Sequence, residues 1–292
     1  MPYKNVKRYT RSPAILAHNN ANYFTKSITL ENTNVPLDDN DERTIPSGAI
    51  VSKVDGKYRF LPRVKSRNSI GTGNAEVDVT NPFSLMKNDK LYVVMPYEAI
   101  SVDTAGADSD TLTITLDDDI QVEVNVTSTE ANDKGKQADL IAKTVNNDLQ
   151  ASQKVHAVSD ENDTVWILQN NIFDRSTLAT SASGSIIVSF VRNSGNLRLN
   201  NTAIGTVSSI DRVNQKVTLT SNAGLSVPAD VSIGVRNAEM IGVIVEDYDM
   251  TIANVQNLAP CTHSMGIYKN RLPHYDEDVD YQLENITFGN KF

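Results

Sequence analysis

The side chains able to do chemistry in this chain are few and scattered. Its four histidines, His18, His156, His263 and His274, lie far apart, and none belongs to an HxxxH or HxE pattern. Cys261 is the one cysteine, and His263 follows it by two residues. A thiol nucleophile needs a base within hydrogen-bond reach and a third group to orient that base. Near neighbours along one chain rarely form such a triangle, so a half-buried thiol in a loop is expected. Carboxylates cluster at Asp38–Glu42 (DDNDE), Asp117–Asp119, Glu246–Asp249 (EDYD) and Asp276–Asp280 (DEDVD). A calcium loop alternates oxygen ligands around a Gly bend and ends on a distant bidentate Glu. None of the clusters has that full spacing, although Glu284 follows the last, and each is expected to be a solvated turn. Gly71-Thr72-Gly73 lacks the lysine and hydroxyl of a phosphate loop, and no GxSxG occurs. These residues ask for no catalytic centre, metal or cofactor, and a non-enzymatic role is expected.

Charge is distributed unevenly. The net charge of −9 divides into residues 1–70 with 12 basic and 6 acidic side chains, residues 71–190 with 7 and 19, and residues 191–292 with 8 and 11. A net acidic chain is a poor general nucleic-acid binder, because that binding rests on neutralising phosphates. The segment Tyr3–Leu16 nevertheless interleaves Lys4, Lys7, Arg8 and Arg11 with Tyr3 and Tyr9. Such mixing could stack on single strands; in an acidic chain it fits better an extended arm that orders on an acidic neighbouring subunit. No apolar run reaches the length of a signal peptide or a membrane span. A lone cysteine allows no intramolecular disulfide. Synthesis in a cytosol, with no membrane or direct nucleic-acid partner, is expected.

The elements that must carry these residues are mostly strands. Short β-branched runs separated by Asn, Asp, Gly, Pro and Ser recur along the chain. Thr111–Leu116 (TLTITL) and Ile120–Val126 (IQVEVNV) alternate apolar with polar, so one face of each packs and the other is wet. Asp117–Asp119 between them predicts a hairpin turn, as does Asp55–Gly56, a type I′ signal. One internal segment, Asp133–Gln150, has helical period, with Ala138, Ile141, Ala142, Val145 and Leu149 on one stripe. The two runs before it and the two after it (VHAV and TVWIL) predict a β-β-α-β-β unit in which Trp166 meets Ile141. The chain thus reads as mainly β (α+β), with an arm at 1–20 and an outer β domain from 21–70 plus 236–292. A barrel or sandwich from 71–104 plus 195–235 is inserted in that domain, and the β-β-α-β-β module at 105–194 is nested in turn. Such nesting is tolerated where a loop tip is exposed.

TIPSGAIVSKVDGKYRFLP, together with the distant MIGVIVEDYDMT and GIYKNRLP, resembles the phage head decoration (capsid cement) proteins related to the lambda decoration protein. Pro46, Gly48, Ile50, Val51 and Lys53 match the family hairpin P-x-G-x-(V/L)-(L/V)-x-(K/R). Gly242, Val243, Ile244 and Asp247 match a later G-(I/V)-(L/V)-x-x-D strand. The resemblance covers roughly residues 20–65 and 238–275. Residues 77–94 with 203–235 are similar to inserted β domains of larger decoration proteins, with Asn88–Asp89 where these carry Gly-Asp. Residues 111–169 are similar to a module of phage tail sheath and head proteins.

The resemblance implies a β domain, preceded by an extended arm, that sits on the outer capsid surface as trimers at local three-fold positions. Its partners would be the major capsid protein and other copies of itself, and its location the virion, after synthesis in the host bacterial cytoplasm. The residues implied in capsid binding are Tyr3, Lys4, Lys7, Arg8, Tyr9 and Arg11 of the arm, with Pro46, Gly48, Lys53, Lys57, Arg59 and Arg63 of the hairpin. Two alternatives stand beside it: a tail or baseplate component, suggested by the sheath-like module, and a virion-surface carbohydrate-binding module using Trp166 and tyrosines as stacking platforms.

Overall fold

The computed structural model describes residues 23–31, 35, 44–160, 162–192, 194–245, 248–249, 255–269, 272 and 275–289. The described chain is mainly β, in several antiparallel sheets with few helices.

The outer sheet is ordered Tyr23–Thr25, Cys261–Tyr268, Glu239–Val243, Ile50–Val54 and Lys57–Phe60, with Ile286–Gly289 added in parallel to Cys261–Tyr268. Apolar residues cover both of its faces. Ile50, Val54, Met240, Val243 and Ile267 belong to one core cluster, whereas Val51 and Phe60 join Ile28, Leu30 and Leu258 in another. Alternation along Ile50–Val54 explains the division, since successive strand side chains point to opposite faces. The predicted turn is present, with Asp55 at φ 49° and Gly56 at φ 81°, both left-handed as a type I′ turn requires. Gly242 has its own reason to be glycine: a Cβ there would lie 2.4 Å from the carbonyl oxygen of Cys261.

Six strands follow one another around a small barrel: Arg63–Lys65, Ser232–Gly234, Lys90–Val93, Gly205–Asp211, Lys216–Leu219 and Glu76–Asp78. The ring closes where Ser66 bridges Val79, with Arg67 N–H donating to Asp78 O at 2.9 Å and Thr80 N–H to Lys65 O at 2.8 Å. Closure removes the free edges that an open sheet would expose. Val64, Val77, Leu91, Val93, Val207 and Ile233 fill its interior.

Between Val93 and Gly205 the chain builds the α/β module. One sheet is ordered Val155–Ser159, Thr164–Gln169, Tyr97–Thr104, Ile187–Phe190; the other is ordered Ile120–Asn125, Thr111–Leu116, Leu178–Ser183. Helix α1 (Lys134–Asn147) buries Gln137, Ala138, Ile141, Ala142 and Val145 against them. Residues 97–104, grouped with the barrel by sequence position, pair with Thr164–Gln169 and Ile187–Phe190 instead. Residues 63–65, placed with the outer domain, are barrel strand.

Two packing expectations are corrected. Leu149 is not on the helical stripe and is 82% exposed. Asp148 stops α1 in extended conformation, and its carboxylate accepts the N–H groups of Gln150 and Ala151 at 3.0 and 2.8 Å, starting a new turn that leaves Leu149 outside. Trp166 does not meet Ile141. In the strand Thr164–Gln169, Val165 and Ile167 face the helix core, while Trp166 and Leu168, out of phase by one residue, face the barrel core. The indole stacks on Tyr97 with centroids 4.1 Å apart and an interplanar angle of 9°. The guanidinium of Arg192 covers the Tyr97 ring at 3.8 Å. Burial raises the Tyr97 hydroxyl pKa against the lowering influence of Arg192. This stack fastens the module to the barrel.

Candidate functional site

The hairpin expected to bind a partner starts from a tight turn. Ala49 N–H donates to Pro46 O at 3.2 Å, and Gly48 between them has φ 88°, the left-handed third position of a type II turn. Gly48 N–H also donates to Ile244 O at 2.6 Å, joining the two segments that carry the decoration-protein resemblance. Ser47, Gly48 and Ala49 are buried, so this turn shapes the strand behind it and does not project. Lys53 is half-buried and Lys57 exposed; of the hairpin cations implied in binding, these two have side chains open to solvent and no ion pair among the described residues.

Arg59 and Arg63 are engaged inside the molecule. Arg59 Nη1 and Nη2 donate to the two carboxylate oxygens of Asp89, each at 2.8 Å, and Nη2 also reaches Ser84 O at 3.0 Å. The pair is 12% and 9% exposed. It ties the hairpin to the barrel turn at Lys87–Asp89, where Asn88 takes the left-handed conformation, φ 74°. Asn is the side chain next best to glycine for that geometry. Asn88 therefore holds this turn without a glycine.

Arg63 corrects two expectations together. It is 2% exposed and cannot present its charge to a partner. Its Nη1 donates to Asp278 Oδ2 at 2.9 Å and to Asp276 Oδ2 at 3.1 Å. Asp276–Asp280 is therefore not a solvated turn, because Asp276 and Asp278 are 2% and 0% exposed. Ser232 Oγ donates to Asp276 at 3.0 Å, Ile172 N–H to Asp278 at 3.2 Å and Gln282 Nε2 to Asp278 at 2.6 Å. Barrel, module and C-terminal segment thus meet on one ion triad. Burial would lower the Arg63 pKa, but Asp276 and Asp278 more than compensate and hold it above the ordinary value. Asp280, at the outer end, pairs with Lys269 at 3.0 Å and bonds Tyr275.

Tyr3, Lys4, Lys7, Arg8, Tyr9 and Arg11 lie outside the described residues, as do Asp38–Glu42 and the first two residues of Glu246–Asp249. Cys261 is fully buried in a central strand, not half-buried in a loop, and its thiol donates to His263 O at 3.3 Å. A register irregularity opposite Phe24 and Thr25 skips Thr262. It leaves Cys261 inside and His263 outside, so the thiol and the imidazole do not converge. Asp117 and Asp118 form the expected solvated hairpin turn, at φ 52° and 65°. Among the described residues no group of three or more His, Cys, Asp or Glu could hold a metal ion, and no helix is long and apolar enough to cross a membrane.

Sequence reasoning missed the triad because nothing local marks it: Arg63 and Asp278 are 215 residues apart. The chain matches no protein-family model and no curated protein.

Proposed function

We propose that this chain is a non-enzymatic structural protein of the virion, a decoration or cement protein that binds the outer surface of a tailed-phage head and reinforces it against internal DNA pressure. One observation carries the proposal. Strand pairing joins Tyr23–Thr25, the first described strand after the basic arm, to the same sheet that holds the hairpin Ile50–Phe60. The chain leaves that sheet after Phe60 and returns to it at Glu239, and everything between is the barrel and the acidic module. Attachment elements and the acidic elaboration are thereby separate parts of one molecule. The basic part suits an acidic shell, and the acidic part remains solvated and discourages aggregation.

Cementing needs area and repetition more than catalysis, since many weak contacts per particle give large avidity. The arm residues Tyr3, Lys4, Lys7, Arg8, Tyr9 and Arg11, with Lys53 and Lys57, are the proposed contacts to the major capsid protein. The proposed assembly is a homotrimer at local three-fold positions. Arg59 and Arg63 act indirectly, by holding the hairpin on the barrel. The carbohydrate-binding reading loses its platform, because Trp166 is 7% exposed and stacked on Tyr97.

Deletion of residues 1–16 tests the attachment claim. The truncated protein is expected to keep its melting transition and to fail to co-sediment with expanded capsids. Full occupancy of capsids by the truncated protein would contradict it.

A further inference from the structure

A cavity of about 500 Å³ opens where the barrel, the module and the outer domain meet. That is the size range of small-molecule sites. Its walls are apolar at Val94, Ile172, Leu199, Val235 and Ala238, with Phe173 at the rim, 68% exposed. Arg63, Arg175, Arg236 and the exposed Glu239 also line it.

The three arginines are not equivalent. Arg63 is neutralised by Asp276 and Asp278, and that triad carries a net negative charge which keeps an anion away from its end of the cavity. Arg175 and Arg236 have no carboxylate within ion-pair distance among the described residues. Arg175 donates to the carbonyl oxygens of Ile172 and Asp174, at 2.8 and 2.5 Å, which fixes its turn and leaves its charge uncompensated. Arg236 lies over the Tyr92 ring at 4.3 Å and donates through Nη1 to Asn201 at 2.8 Å. Its Nε and Nη2 are sheltered and bonded to nothing among the described residues. A guanidinium carries five N–H donors, and sheltered donors without an acceptor cost free energy that an anion would recover. Desolvation lowers the Arg236 pKa, as expected of a cation held without a counter-ion.

We propose that this junction cavity binds a monocarboxylate with an apolar body, its carboxylate on Arg236 and Arg175 and its body against Val94, Leu199 and Phe173. The ligand bridges all three parts of the molecule and stiffens their junction. The site is independent of where the protein attaches, so it stands or falls separately from the capsid reading.

The test is calorimetric titration of the full-length protein with 4-phenylbutyrate, 4-phenylbutanol and inorganic phosphate, with amide chemical shifts to locate binding. The acid is expected to bind about tenfold or more tightly than either the alcohol or phosphate, and to shift amides at 172–175 and 235–239. Arg236→Gln is expected to bring the acid down to the affinity of the alcohol with an unchanged melting transition. Arg175→Gln, on an exposed turn, serves as the second variant if Arg236→Gln does not fold, with the same expected loss of preference for the acid. Equal binding of acid and alcohol, equal binding of phosphate, shifts elsewhere, or no binding of the acid at about 10 mM would each overturn the proposal.

Discussion

Two runs of aspartate that look alike in the sequence, Asp117–Asp119 and Asp276–Asp280, end in opposite environments. The first is a hairpin tip. Asp117 and Asp118 take left-handed backbone angles, and Asp117 bonds Lys154 at 2.9 Å, with its side chain 30% exposed. The second leads into a short helix, Glu277–Gln282, and its alternate residues Asp276 and Asp278 turn inward onto Arg63. What separates them is the neighbour across space, not the local pattern. A turn carboxylate needs only nearby N–H groups and water. A buried one persists only with a cation and further donors, because isolated buried charge is very costly. The exposed run shapes its hairpin and ties it to neighbours within the module, Lys154, Ser176 and Thr177, and the buried run holds three parts of the molecule together.

The difference can be broken first at Arg63. Arg63→Met leaves two buried carboxylates without their cation and is expected to cost about 3–5 kcal/mol. The measurement is urea denaturation. Adding Asp276→Asn and Asp278→Asn to the same chain should recover much of the loss, because the penalty lies in the uncompensated charge. A loss below about 1 kcal/mol for Arg63→Met would place the triad on the same footing as a surface pair.

Asp117→Asn sharpens the comparison from the other side, with an expected cost of about 1 kcal/mol. Acid should then act on the module selectively. Burial would raise the Asp117 pKa, but its bonds from Lys154, Thr177 and Ser176 hold it below the ordinary carboxylate value. Ser185 and the Ala107 amide do the same for Asp110, and Thr127 for Glu130. Groups whose folded pKa is depressed stabilise the fold above their unfolded pKa and lose that contribution as pH falls through the range toward the folded value. Amide protection factors, the intrinsic exchange rate divided by the observed one, are therefore expected to fall in Thr111–Asn125 and Leu178–Ser183 below about pH 4, ahead of the barrel, where one such turn, at Asp211, is present among the described residues. A uniform loss of protection across barrel and module would remove the distinction.

Much of the fold was legible in the sequence, for reasons that can be named. Thr111–Leu116 alternates because one face is wet, and Asp55–Gly56 marks its turn because few residues take two left-handed angles in succession. The strand Tyr97–Thr104 (YEAISVDT) was hidden by a charge in its middle. Glu98 is fully buried there, and its Oε1 accepts the N–H groups of Ala99 and Arg192, both at 2.9 Å. Leu178–Ser183 (LATSAS) has too few apolar residues to announce a strand and is recruited by pairing with Thr111–Leu116. The facing of Trp166 toward the barrel is not visible in the sequence, because a strand buried on both faces has no polar side to set its phase. Among the candidate binding cations, type and position could not separate Lys57, which is exposed, from Arg63, which is buried. That distinction depends on two aspartates more than two hundred residues away.

The measurement that bears most directly on the proposed role is a reconstruction of the virion with this chain located and its copies counted. The account predicts hundreds of copies on the outer surface of the head, with residues 1–22 and the hairpin Ile50–Phe60 against the major capsid protein and the 97–198 module pointing outward. A few dozen copies confined to the tail, or a head contact made through the acidic module, would contradict it.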